Sequence, residues 1–278
     1  MIASATWSFV LANNSGTTLT GRVLTPEGKP AAGAYVGVVV LRSNSKLKAQ
    51  TQAVTDQDGN YRISLPDSQP PTYVARAYLA GYGVPPEALT STTHLTIRLA
   101  NSERTTVRVV DAVGQPVRSL WIGSYELAGR ELPDKFRLHL ARPTDRLGEV
   151  SFDYVPVGES SAFEACDRGV TLREIATTTQ GLRQFVAEQE AKIVGTLKLN
   201  DQPVPNVYIA CQAGSPKRSL PGRTDEHGHF EINHVPPGCI KLDAIGSTRS
   251  TPFPDARLDL TAKQGETKTV QWDLSAPG

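Results

Sequence analysis

Thr224-Asp225-Glu226-His227-Gly228-His229-Phe230-Glu231-Ile232 decides the fold, because the chain writes this pattern three times. The other copies read Thr55-Asp56-Gln57-Asp58-Gly59-Asn60-Tyr61-Arg62-Ile63 and Thr144-Asp145-Arg146-Leu147-Gly148-Glu149-Val150-Ser151-Phe152. Their shared skeleton is Thr-Asp-x-x-Gly-x-apolar-x-apolar. Glycine at the fixed position accepts the positive φ of a tight turn, and the aspartate can accept hydrogen bonds from N–H groups two residues on. Apolar residues then alternate, as in a strand with one face to a core and one to water. The pattern predicts a tight hairpin in each copy. The glycines stand 89 and 80 residues apart, the spacing of small domains in tandem.

Before each turn lies a second pattern: a short strand, a turn with Pro, and a β-branched strand. Copy one has Gly21-Arg22-Val23-Leu24, Gly28-Lys29-Pro30 and Ala34 to Val40; copy two has Val107 to Val110, Gly114-Gln115-Pro116 and Leu120-Trp121-Ile122; copy three has Gly195-Thr196-Leu197, Asp201-Gln202-Pro203 and Val207 to Cys211. Copy two departs at its first strand, where Val107 replaces glycine, and carries an insertion from Leu127 to Arg142. Closing strands are expected at Leu95–Leu99, Leu182–Val186 and Thr269–Leu274. Only Phe185 to Lys192 hints at a helical period. The expected boundaries are 1–16 for a leading strand, which is either the tail of a preceding repeat or an extra strand on copy one, then 17–101, 102–189 and 190–278. Junctions this short predict an elongated, semi-rigid array.

Bulk properties agree with an all-β reading and exclude some partners. The chain has 278 residues, 29 basic and 28 acidic side chains and a net charge of +1, so no field of one sign favours nucleic acid. No apolar run is long enough to span a bilayer, and Met1 to Trp7 lacks the basic start of a signal peptide. Of three cysteines, Cys211 falls on the expected core face and Cys239 on the opposite one, so Cys166, Cys211 and Cys239 are all expected as free thiols.

Together, Gly-x-Val-x(4)-Gly-x-Pro, Thr-Asp-x-x-Gly-x-Tyr/Phe-x-Ile, the Val235-Pro236-Pro237-Gly238 element and the final strand resemble the carboxypeptidase regulatory-like domains. These are transthyretin-like, seven-stranded β-sandwiches similar to collagen-adhesin B-type repeats. Nearly the whole chain is covered. The resemblance implies three tandem Ig-like or prealbumin-like sandwiches serving as non-catalytic spacer or interaction modules of a larger secreted or cell-envelope protein; the chain is expected to be monomeric and without cofactor. It implies no peptidase activity, because a zinc-binding His-x-x-Glu pair is absent from the sequence. An isopeptide of the adhesin type would need Asn in a closing strand, and none of the three contains one.

Three groups of residues invite chemistry, although the recurrent turn reads as a folding element rather than a ligand set and no catalytic or metal site is expected. Asp56, Asp58 and Asn60 look like part of a calcium loop, although copies two and three replace Asp58 with Leu147 and His227. His227, His229 and Glu231 are transition-metal ligand types in a short span. Tyr78 and Tyr82, in a Gly-interrupted stretch, are expected as an exposed aromatic patch and carry the alternative function, a carbohydrate-binding accessory module with a glycan partner.

Overall fold

The computed structural model describes residues 17–41, 47–65, 73–85, 88–90, 92–167, 169–177, 181–214, 218–245 and 256–274. The leading strand expected within 1–16 lies outside them. With 64 % of the described residues in strands and 3 % in helix, the fold is all-β.

Copy one contains β1 (Thr18–Leu24), β2 (Tyr35–Leu41), β3 (Leu47–Val54), β4 (Asn60–Ser64), β5 (Tyr73–Tyr78), β6 (Tyr82–Gly83), β7 (Ala88–Thr90) and β8 (His94–Arg98). One sheet runs β4-β1-β8, the other β3-β2-β5-β7. The opening strand β1 pairs antiparallel with β4 and parallel with the closing strand β8. Between the sheets lie Leu19, Val23, Val36, Val38, Tyr61, Ile63, Tyr73 and Ile97, all buried.

Copy two contains β9 (Ala100–Val110), β10 (Trp121–Leu127), β11 (Arg130–Glu131), α1 (Asp134–Leu140), β12 (Arg142–Pro143), β13 (Glu149–Pro156), β14 (Ser161–Ala165), β15 (Val170–Thr177) and β16 (Leu182–Gln189). Copy three contains β17 (Ala191–Leu199), β18 (Gln202–Pro203), β19 (Tyr208–Ala213), β20 (Arg218–Arg223), β21 (His229–Val235), β22 (Gly238–Ile245), β23 (Ala256–Ala262) and β24 (Thr267–Asp273). Copy three repeats the plan of copy one, with β17 between β21 and a parallel β24, and a second sheet β20-β19-β22-β23. Copy two keeps β13-β9-β16 but diverts β15 onto β16, away from the β14 edge. Its strand β16 again runs parallel to the opening strand β9.

Two expectations change. The segment suspected of helical period is strand β16 running into β17. The helix lies instead inside the insertion of copy two, where α1 buries Phe136 and Leu140. More important, the recurrent turn is not a hairpin. In copy one it joins β3 of one sheet to β4 of the other, and in copy three it joins β20 to β21 in the same way. Copy two has the short β12 and β13 in those places. The turn is an arch across the sandwich, so it fixes how the two sheets of a copy face each other.

Contacts divide the chain into two units: Met1–Glu103 with Asp153–Glu159, and Arg104–Phe152 with Ser160–Gly278. In the first unit the tail of β13 completes copy one. Val84 N–H donates to Tyr154 O at 2.9 Å and Val157 N–H to Asn101 O at 3.1 Å. Gly81 N–H donates to Asp153 Oδ2 at 2.9 Å, and Tyr78 meets Tyr154 edge-on with ring centroids 5.8 Å apart. A repeat boundary read from the motif alone does not see this exchange.

Candidate functional site

The arches place every recurrent polar group on the backbone. In copy one, Thr55 Oγ1 donates to Ala31 O at 2.6 Å and accepts from Ala34 N–H at 2.8 Å. Thr144 Oγ1 likewise donates to Val117 O and accepts from Leu120 N–H. Thr224 Oγ1 accepts from Val207 N–H at 2.8 Å. All three threonines are buried, so each ties its arch to the loop after the opening strand. The aspartates act on the arch itself. Asp56 Oδ1 accepts from the N–H groups of Asp58 and Asn60, Asp145 Oδ1 from Leu147 and Glu149, and Asp225 Oδ1 from His227 and His229, all at 2.8–2.9 Å.

These bonds hold all three aspartate carboxyls below their ordinary value of 3.8, with the N–H of the residue four positions on as the largest cause in each. A depressed folded-state value means the stabilisation is complete above 3.8 and is lost as pH falls through the lower folded values. Acid sensitivity below about pH 4 is therefore expected to trace to the arches. Asparagine keeps the accepting Oδ1 but cannot titrate. Replacing Asp56, Asp145 and Asp225 together with Asn should flatten the drop in urea midpoint between pH 4.5 and pH 2.5; an unchanged drop would reassign it to other carboxylates.

The residues singled out for chemistry fall as follows. At Asp56 and Asp58, Asp56 Oδ1 accepts from the backbone, and Asn60 Nδ2 donates to Asp56 Oδ2 at 3.3 Å, so Asn60 turns a donor rather than an oxygen toward the carboxylate. Tyr78 is buried at 7 % exposure and Tyr82 is half-buried, so the exposed aromatic patch is not there. Tyr154 covers Tyr78, which gives these aromatics a packing role rather than a sugar-stacking one. Glu231 is engaged by Lys192 Nζ at 2.8 Å and by Asn233 Nδ2 at 2.8 Å. His234 faces Glu190 Oε2 at 2.9 Å, on the far side of the sequence cluster from His227 and His229. Among the described residues no group of three or more His, Cys, Asp or Glu side chains stands ready-made for a metal ion.

All three cysteines are free. Cys211 is buried opposite Leu242 on β22, while Cys239 is exposed, so the parity argument against a bridge holds. Burial pushes the Cys166 and Cys211 thiols up to about 11, away from the thiolate form a nucleophile requires.

One concavity is relevant to binding. On the outer face of the β21-β17-β24 sheet an open groove has β17 as its floor. Its sides are His229 and Glu231 of β21 and Thr269 and Gln271 of β24, and it reaches Arg223 and Asp225. Sequence reasoning named His229 and Glu231 from residue type, but missed Arg223, Thr269 and Gln271. Their shared face depends on β24 pairing parallel to β17, with Val194 opposite Thr269 and Thr196 opposite Gln271.

No protein-family model and no curated protein sequence matches the chain. Among solved structures it is similar to the Bacillus anthracis TIE protein, at 14 % identity over 93 % of this chain and 50 % of that one, with a TM-score of 0.28. The chain thus spans about half the length of that structure. It is also similar to GBS52, the minor pilin of Streptococcus agalactiae, at 14 % identity over 62 % of this chain and 95 % of that one, TM-score 0.35. A single B repeat unit of the collagen-binding surface protein of Staphylococcus aureus gives 12 % identity over 62 % and 97 %, TM-score 0.23. Similarity of this size carries no inference about function. No helix among the described residues is long and apolar enough to cross a membrane.

Proposed function

We propose that the chain is a non-catalytic structural or interaction segment of a larger cell-surface or secreted protein, built from three β-sandwich repeats at 17–101, 102–189 and 190–278. One observation carries the proposal. In all three arches the recurrent Thr and Asp are engaged by backbone groups, so what the copies have in common is a device for joining two sheets. A repeated catalytic or ligand-binding unit would instead repeat side chains aimed outward. Here the outward positions differ: Asp58 and Asn60, Leu147 and Glu149, His227 and His229. Binding specificity in this reading belongs to individual copies and to partners outside the chain.

Placement at the surface is testable on intact cells of the source organism. A membrane-impermeant, lysine-reactive label should modify this chain before lysis. Labelling only after lysis would overturn the surface assignment.

A further inference from the structure

We infer that the third arch is a capture site for a divalent transition-metal ion, held by Asp225, His227 and His229. The inference stands apart from the surface role, since it uses only the local geometry of one turn. The arch fixes the backbone of both histidines by binding their N–H groups to one oxygen of Asp225, Oδ1, at 2.9 and 2.8 Å. The other oxygen, Oδ2, faces His229 Nδ1 at 3.7 Å. Two donors on one tetrahedral zinc ion, each at 2.0–2.1 Å, stand about 3.3 Å apart, so this pair is within a few tenths of an ångström of chelating distance. The His227 and His229 rings lie with centroids 6.1 Å apart. Binding would draw the His227 ring from its 3.6 Å approach to Glu226 toward Asp225 as the third donor. That side chain is 69 % exposed, so little packing opposes the turn.

Comparison of the copies separates scaffold from ligand set. The positions two and four residues after the aspartate are organised by the same hydrogen bonds in every arch. Only copy three fills both with imidazole; copy two has Leu147 and Glu149, and copy one has Asp58 and an amide, Asn60. Two imidazoles and one carboxylate suit zinc, nickel or copper rather than calcium or magnesium, which prefer all-oxygen shells. Three protein donors leave a coordination position for water or a further ligand. Asp225 and His229 also line the groove on the outer face of β17, so a bound ion would add a Lewis-acidic point to that polar groove.

The test is isothermal titration calorimetry of the full chain with zinc chloride, with calcium chloride as comparison. One saturable zinc equivalent and no calcium binding are expected. His227→Ala and His229→Ala should each weaken zinc binding about tenfold or more. Both side chains are exposed, so the variants should fold, and an unchanged melting curve would confirm it. Asp225→Asn keeps the Oδ1 acceptor and should also weaken binding. Histidine ring resonances in NMR should move at His227 and His229 and stay put at His94, His139 and His234. Absence of saturable binding would overturn the site, as would binding that survives the His227→Ala, His229→Ala double variant.

Discussion

Gly228→Val is expected to unfold copy three. Gly228 has φ +73°, and a Cβ built there would lie 2.6 Å from Leu197 O and 3.1 Å from Val204 N. Both neighbours are backbone atoms of the opening strand and the turn after it, and they bond to each other: Val204 N–H donates to Leu197 O, while Leu197 N–H donates to Gly228 O. The glycine cannot move off without losing its own bond to β17. Left-handed backbone alone costs a side chain about 1–2 kcal/mol, and more for a β-branched one. With the clash the total should exceed about 4 kcal/mol, which is comparable to the whole stability of a small domain. Gly59 and Gly148 are held in the same way against Val23 O and Val109 O. Gly114 supplies the control, because it has φ +85° with nothing within 4 Å of a Cβ. Gly114→Val should therefore lower stability only by the backbone term. Calorimetry with limited proteolysis should show copy three lost in Gly228→Val, while Gly114→Val leaves copy two folded with a lowered midpoint. Equal, small effects from both substitutions would refute the packed-arch account.

Gly148→Val should spread further. Its strand, β13, continues into Asp153–Glu159, and those residues accept from Val84 N–H, donate to Asn101 O and cover Tyr78. Proteolysis is expected to open sites in copy one as well as copy two. Confinement to copy two would mean the β13 tail is dispensable to the first unit.

That contrast shows what a sequence of this kind discloses. The local chemistry of the turn was legible, because Asp-x-x-Gly reports bonds made within four residues: Asp145 to Leu147 and Glu149, for example. What the turn connects was not legible. A hairpin and a cross-sheet arch use the same aspartate and glycine, and only the distant pairing of β4 with β1, or β21 with β17, distinguishes them. Helix α1 leaves no clear mark in the sequence because its seven residues hold a single buried i, i+4 apolar pair, Phe136 and Leu140, which fits a strand or loop equally well. The expectation of an exposed patch at Tyr78 and Tyr82 fails for a related reason. Gly81 does form a turn at φ +84°, yet the cover on Tyr78 comes from Tyr154, far along the chain. Of the groove, the histidine side was visible and the β24 side was not, since parallel pairing of first and last strands leaves no local mark.

The departure of copy two at its opening strand makes the second large prediction. Gly195 lies opposite Phe230 in the β17–β21 pair, and Gly21 lies opposite Tyr61 in β1–β4. A Cβ on Gly195 would meet Phe230 Cζ at 2.5 Å and Cε1 at 2.7 Å, so the glycine makes room for the ring. In copy one the same opening lets Tyr61 Oη reach across and donate to Leu95 O at 2.9 Å. Copy two fills both places differently: the residues equivalent to glycine and aromatic are Val107 and Val150, both buried. The pair exchanges volume as a unit. Gly195→Val alone should destabilise copy three by about 3 kcal/mol or more through overpacking, and Phe230→Val alone by about 2–4 kcal/mol through the cavity it leaves. The double variant recreates the pair in copy two and should cost less than the sum by about 1–3 kcal/mol. Compensation stays incomplete, because Val270 O also stands 2.8 Å from the new Cβ and belongs to the backbone of β24. A urea double-mutant cycle measures the coupling. Strict additivity would show that Gly195 answers to the β24 backbone alone and that the valine pair of copy two is unrelated to the missing glycine.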